Sequence, residues 1–302
     1  MKGVLLAGGV GSRLYPITTC VAKQFVPVYD KPAIFYPLAM LMLAGIRDIM
    51  VVPDETNEHI LKRLLGDGSQ YGLNFDYAIS REKKGICYGY GLAEKFVDGD
   101  NSCLIFCDNL FYAPDIQSVM MRAADNFKGG GNIFAIRVPN PSDYGVVEFD
   151  ADMNVLSLEE KPANPKTNWA VPGLYFYDDQ AFDLIRTIKP SARGELEVTD
   201  LNNIYLSRGQ LKLTQFSPDT AWVDIGSHDT LLNASNFVHT LWKNQGVYMA
   251  CLEEIALKKG FIDVTHYKAM HDKAKPNKVL YHYMEQVLED FLAAKSGKPK
   301  KE

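Results

Sequence analysis

The sequence predicts an open, mostly parallel α/β sheet with helices on both faces. Short apolar runs with strand character recur at residues 3–6, 49–52, 75–79, 103–106 and 133–138. Helical patterns lie between them: residues 34–44 are apolar all round, 58–65 follow a Thr-Asn cap and 115–126 follow a Pro-Asp start. Strands alternating with helices imply βαβ units with right-handed crossovers, in which ligands sit beyond the carboxyl ends of the strands. The composition agrees: 302 residues, 47% hydrophobic and 23% charged, can bury a sizeable core, which excludes a disulfide-stapled miniprotein, a disordered chain and a collagen-like rod.

From about residue 143 the pattern changes. Residues 145–150 and 155–160 alternate with period two around a turn at 151–154, so an antiparallel insertion at about 140–178 is expected. Helices resume at 179–188, 198–207 and 231–243, and no linker divides the chain. The expected organisation is a core over 1–245, a helical C-terminal extension over 246–295 and a disordered tail over 296–302. The extension carries Val279, Leu280, Tyr283, Val287, Leu288 and Phe291 on one amphipathic stripe, which suits either a cap on the core or a subunit contact.

Charge and cysteine usage narrow the partners. A formal charge of -5, from 32 Lys+Arg against 37 Asp+Glu, gives no general attraction to polyanions, so no nucleic-acid polymer is expected as a partner. The first residues lack the pattern of a signal peptide, and the longest apolar stretch, 33–46, falls short of the roughly 20 residues that span a bilayer. A cytoplasmic protein without a membrane partner is expected. The five cysteines form no Cys-x-x-Cys pair and read as free thiols.

The strongest local signal follows the first strand: Gly8-Gly9-Val10-Gly11-Ser12-Arg13-Leu14. Glycines there let the backbone curl with its N–H groups inward, a nest that suits a phosphate. It is not a P-loop, which requires Gly-x-x-x-x-Gly-Lys-Ser/Thr, nor a dinucleotide fingerprint, which requires glycine where Leu14 stands. Arg13 within the loop and Lys23 ten residues on supply two cations for a polyphosphate. No Gly-x-Ser-x-Gly elbow and no His-Glu-x-x-His pair competes with that reading.

The loop opens a longer run of motifs. Gly8-Gly-x-Gly-Ser-Arg-Leu-x-Pro16-x-Thr18 is followed by Lys23-Gln24-x-x-Pro27-Val28-x-Asp-Lys31-Pro32. Leu65-Gly-Asp-Gly-Ser, Cys107-Asp108-Asn109, Tyr144-Gly-Val-Val-Glu148-Phe and Leu158-Glu-Glu160-Lys161-Pro162 come next. Val171-Pro-Gly173-Leu-Tyr-Phe-Tyr, Arg193-Gly-Glu195-Leu-Glu197-Val-Thr-Asp200 and Ala221-Trp222-Val-Asp224-Ile-Gly226-Ser-His-Asp complete the series. In this order, over nearly all of residues 1–265, the series resembles the sugar-1-phosphate nucleotidyltransferases, most closely the glucose-1-phosphate thymidylyltransferases.

The resemblance implies a Rossmann-like fold, Mg²⁺ as cofactor, and a nucleoside triphosphate and a sugar 1-phosphate as substrates. It also implies a homo-oligomer, tetramer or dimer, with a regulatory nucleotide site near subunit contacts. Asp108 and Asp224 match the family's metal-binding aspartates, and a pair of carboxylates suits Mg²⁺, which prefers oxygen ligands and bridges to substrate phosphates. Arg13, Lys23, Lys161 and Asp108 take catalytic positions. Leu6, Gly8, Gly9, Gly11, Ser12, Arg13, Gln24 and Tyr88 take nucleotide-binding positions, and Asn109, Tyr144, Gly145, Glu160, Lys161, Gly173 and Tyr175 those of the sugar pocket.

One departure concerns the base. The family's Gly-Leu-Ala-Gln-Ala segment aligns with Gly85-Ile-Cys-Tyr88-Gly, so a phenol stands where an amide is expected. An amide both donates and accepts on a base edge, whereas a phenol offers one hydroxyl and a stacking face. dTTP leads, with UTP, CTP and purine triphosphates left open, and glucose leads among sugars. A non-catalytic nucleotide-sugar sensor and a nucleotide-dependent oxidoreductase are the competing classes; the aspartates oppose the first and the missing third glycine the second.

Overall fold

The computed structural model describes residues 1–296. Strand β1 (Lys2–Ala7) leads into the glycine loop and three short 3-10 turns, followed by the small ribbon β2 (Pro27–Val28) and β3 (Lys31–Pro32). Then come α1 (Phe35–Leu43), β4 (Asp48–Pro53), α2 (Glu58–Leu65), β5 (Asn74–Tyr77), α3 (Ile86–Gly91), α4 (Glu94–Val97) and β6 (Ser102–Phe106). After β7 (Asn109–Tyr112), α5 (Ile116–Asn126) and β8 (Gly131–Arg137), the antiparallel strands are β9 (Gly145–Phe149), β10 (Val155–Glu160), β11 (Trp169–Val171) and β12 (Leu174–Tyr177). The chain continues through α6 (Gln180–Ile185), α7 (Val198–Ser207), β13 (Leu211–Gln215), β14 (Ala221–Asp224) and α8 (His228–Gln245). It closes with α9 (Leu252–Lys258), α10 (Val264–Lys273) and α11 (Lys278–Ser296).

Among the described residues the main sheet has ten strands, in the order β10-β9-β11-β8-β12-β6-β1-β4-β5, with β13 also on β8. Strands β6, β1, β4 and β5 are parallel, as expected from their crossover helices. The expected antiparallel strands lie on this same sheet: β12 pairs with both β6 and β8, so they continue it as a second half. The expected hairpin is present, with Glu160 opposite Gly145 in register.

Alternation along the buried strands builds two cores, one on each face. Leu5, Val51, Ile105, Phe134 and Phe176 face one cluster, and their neighbours Val4, Met50, Leu104, Ile133 and Tyr177 face the other. Such strands must be apolar on both sides, which explains their near-continuous hydrophobic runs. Helix α1 is apolar all round because it too is enclosed, against β7, α5 and α9. The C-terminal stripe packs on the first core through Leu280, Tyr283, Val287, Leu288 and Phe291, with Met284 joining it and Val279 48% exposed. Helix α11 also runs on to Ser296, so that residue is not part of a tail, and residues 297–302 lie outside the described residues.

Candidate active site

The site forms where the carboxyl ends of β1 and β6 meet the antiparallel half. β1 ends in a loop whose backbone reverses at Gly9 (φ 126°) and Gly11 (φ 59°). Side chains rarely adopt those angles. At Gly11 a Cβ would also stand 2.8 Å from Thr18 Cγ2, whose own hydroxyl donates to the Gly11 carbonyl at 3.0 Å. The turn thereby fixes Ser12 and Arg13 at the mouth of the site.

Asp108 follows β6, and Asp224 ends β14, which pairs antiparallel with β7 so that Asp224 lies opposite Asn109. The Ile225 N–H donates to the Asp108 carbonyl at 2.8 Å. This two-stranded ribbon brings together carboxylates that are 116 positions apart in the sequence. The Lys23 ammonium forms an ion pair with Asp108 and lies 4.0 Å from Asp224, while Arg13 Nη2 lies 3.4 Å from Asp224 Oδ2. Gly226 leaves room beside them, since a Cβ there would force the Arg13 guanidinium to shift.

Burial, reinforced by the adjacent Asp108 carboxylate, raises the Asp224 carboxyl above its ordinary range. Burial pulls Lys23 the other way, but Asp108 and Asp224 together more than offset it and hold the ammonium charged. The ammonium stands between two half-buried carboxylates, so the position already accommodates a cation. That donor set fits Mg²⁺, which needs one or two carboxylates and completes its shell with water and phosphate oxygens. Among the described residues no cluster of three or more metal-binding side chains exists, and a closed protein cage is not what this ion requires.

A cavity of about 250 Å³ opens beside the carboxylates. It gathers Arg13, Asp108, Asn109, Tyr144, Gly145, Glu160, Lys161, Gly173, Tyr175 and Asp224 on one wall system, residues drawn from both halves of the sheet. Glu160 accepts the Thr199 hydroxyl at 2.6 Å. Lys161 is held at φ 44°, a costly conformation for a side-chain-bearing residue, at the end of β10. Gly173 admits the Phe106 ring, which a Cβ would overlap. Asn109 is fixed at both ends, donating to Asp108 Oδ1 at 3.0 Å and accepting the Trp222 indole N–H at 2.6 Å.

Of the expected nucleotide-binding residues only Arg13 lines this cavity; Leu6, Gly8, Gly9, Gly11 and Ser12 stand on β1 and the loop that follows it. Gln24 is fully buried, lies off the cavity wall and leaves both side-chain amide atoms without a partner. Tyr88, half-buried on α3, also lies off the wall; its neighbour Gly89 sits against Leu6, since a Cβ there would meet Leu6 Cδ2 at 3.4 Å. The structure adds residues that the sequence reading passed over, above all Arg193, Glu197, Thr199 and Trp222. Arg193 binds Glu197 through two nitrogens, with Nη2 at 2.9 Å, and approaches Glu160 at 3.9 Å. The Arg-Gly-Glu-Leu-Glu run around them was the available signal.

Comparison with known proteins identifies the family. Residues 2–240 match the nucleotidyl transferase family model. A glucose-1-phosphate thymidylyltransferase of Mycolicibacterium smegmatis is 49% identical over 263 residues, covering 87% of this chain and 91% of the relative. One from Neisseria meningitidis is 47% identical over 262 residues, with the same coverages. A solved Bacillus anthracis structure, provisionally described as the same enzyme and holding a sucrose, aligns with a TM-score of 0.72 at 38% identity, over 78% of this chain and 94% of that one. A UDP-glucose pyrophosphorylase complexed with UDP-glucose shares the fold, with a TM-score of 0.70 at 23% identity over 79% of this chain and 98% of that one. On the family match and these identities, the chain belongs to the nucleotidyl transferase family.

Proposed function

We propose that this chain transfers the nucleotidyl group of dTTP to glucose 1-phosphate, giving dTDP-glucose and pyrophosphate. The observation that carries this reading is the pairing of Arg13 and Lys23 with Asp108 and Asp224 at one end of a cavity walled by Glu160 and Lys161. The names of relatives at 47–49% identity support the substrate pair.

A phosphate oxygen of glucose 1-phosphate attacks the α-phosphorus of the triphosphate; the bond from that phosphorus to the bridging oxygen breaks, and pyrophosphate leaves. The attacking oxygen is already anionic, so the protein needs no strong general base, and its work is alignment and charge stabilisation. The glycine loop holds the triphosphate by its N–H groups, with Arg13 beside the departing pyrophosphate. Lys161 orients the sugar phosphate, and Lys23 sits near the phosphates of both substrates. Glu160 accepts the sugar hydroxyls, its carboxylate fixed by Thr199. Asp108 and Asp224 would hold Mg²⁺, which when bound neutralises charge on the α-phosphate.

Tyr88 supports a second reading of the base, because a phenol lacks the paired donor and acceptor of an amide. A panel of dTTP, UTP, CTP, ATP and GTP crossed with glucose 1-phosphate and other sugar 1-phosphates, read by pyrophosphate release, tests both. Preferred turnover of dTTP with glucose 1-phosphate supports the proposal; turnover confined to another pair replaces these substrates, and no release from any pair rejects the chemistry.

We propose further that the chain assembles into a homo-oligomer, supported by Leu232 and Val279 exposed on α8 and α11. A cytoplasmic location is the matching expectation. Among the described residues no helix is long and apolar enough to cross a membrane.

A further inference from the structure

We infer that Asn202 is a specificity residue, whose side-chain amide donates a hydrogen bond to one hydroxyl of the sugar on the floor of the cavity. The inference rests on the substrate assignment above and deepens it, because it sets the enzyme against sugars that lack the hydroxyl at that position.

Helix α7 presents Thr199 and Asn202 to the cavity. Residues at that spacing share one helix face, with Cβ atoms about 5–6 Å apart. Thr199 is already committed, since its hydroxyl donates to Glu160 Oε2. Asn202 is committed at one end only. Its Oδ1 accepts the Tyr177 hydroxyl at 2.6 Å, and its Nδ2 has no partner among the described residues.

The orientation of the amide follows from Tyr177. That side chain is fully buried, and burial pushes its phenol well above the ordinary range, so the proton stays on the oxygen. Among the described residues Asn202 Oδ1 is the acceptor for that proton, and turning the amide over would leave the phenol enclosed with nothing to donate to. The nitrogen therefore faces away from Tyr177.

Asn202 is 1% exposed, yet the enclosed side-chain polar atoms without a partner among the described residues all belong to Gln24. Asn202 Nδ2 is thus not enclosed. It opens on the cavity that Asn202 lines, beside Tyr175, whose ring stacks on that of Tyr177 at 5.8 Å. If anchoring Tyr177 were the only task, the oxygen alone would perform it, and an unused N–H at so buried a position would be a liability. A sugar hydroxyl that reaches this floor supplies the missing acceptor, whereas a C–H in its place supplies none.

Pyrophosphate release from glucose 1-phosphate and from its singly deoxygenated analogues, each with the preferred triphosphate saturating, tests the inference in wild type and in Asn202→Leu. Leucine keeps the shape of asparagine without the donor. In wild type one analogue is expected to fall about 30-fold or more below glucose 1-phosphate in kcat/KM. In Asn202→Leu the value for glucose 1-phosphate should drop about 10- to 30-fold while that for this analogue stays within about threefold, so their ratio collapses. The other analogues should fall together with glucose 1-phosphate. A collapse at one position supports the inference; any other pattern, above all a fall shared equally by every substrate as a merely structural role would give, overturns it. Should circular dichroism show Asn202→Leu unfolded, the double variant Asn202→Leu/Tyr177→Phe removes both ends of the buried bond, and the same ratios decide. A wild type that turns over glucose 1-phosphate but keeps its ratios in the variant rejects the inference alone, whereas one that releases no pyrophosphate from any sugar phosphate rejects the proposed reaction with it.

Discussion

The parallel and antiparallel halves of the sheet build their shares of the site differently. Parallel strands all end at one edge, so the segments after β1 and β6 converge there, bringing the glycine loop and Asp108 together. In the antiparallel half, strand starts and ends alternate along the same edge. Gly145 opens β9, Glu160 closes β10, Val171 closes β11 and Gly173 precedes β12, so the wall needs contributions from both directions of travel. The chemistry divides in the same way. The parallel half, with the β14 ribbon packed against it, sets two cations on two carboxylates; the antiparallel half sets Glu160 and Lys161 around an aromatic floor at Tyr175. Charge aimed at the reacting phosphorus governs turnover, whereas hydrogen bonds to a distant sugar govern affinity unless they change in the transition state.

The largest test of that division is Asp108→Asn. The substitution keeps size and shape but removes a charge that Lys23 and the proposed metal both use. A fall in kcat of about 10³-fold or more is expected. The thermal midpoint should stay within about 5 °C, because the side chain contributes to neither core. Pyrophosphate release and thermal melting measure the two quantities. Near-normal kcat in this variant would remove the parallel half from the chemistry.

Glu160→Gln should act on the other axis. The amide still accepts from Thr199, but it no longer offers two equivalent charged acceptors to sugar hydroxyls. The KM for glucose 1-phosphate should rise about 10- to 100-fold, with the KM for dTTP within about twofold. Initial rates with each substrate varied in turn separate these outcomes, and an equal rise in both values would erase the distinction between the halves.

How far the site was legible follows from the same difference. Asp108 was readable because it directly follows an apolar run in a βαβ pattern, and the strand rule points at it. Asp224 could be read as a ligand only through the resemblance, since the β7–β14 pairing that places it opposite Asn109 leaves no local mark in the sequence. Arg193 and Thr199 were missed because they belong to a loop and a helix start whose approach to Glu160 depends on long-range packing of α7 against β10. Strand β12 leaves no mark of its own in the sequence, because four consecutive buried residues carry no period-two signal. Its place between β6 and β8 joins the expected antiparallel strands to the parallel core in one sheet.

Thr199→Val gives the smallest effect and the finest discrimination. Valine matches threonine in shape, and Thr199 is buried, so packing is nearly preserved while Glu160 Oε2 loses its 2.6 Å donor. The carboxylate itself remains, with Arg193 still 3.9 Å from its other oxygen. The cost is thus one positioning bond rather than the sugar contact. The KM for glucose 1-phosphate should rise only about three- to tenfold, with kcat unchanged, and Thr199→Ser should restore it. A Thr199→Val effect as large as that of Glu160→Gln would mean that Glu160 is useful only when oriented. A change in kcat would mean that the sugar wall acts on the reacting phosphorus, and the separation of turnover from affinity between the two halves would fail.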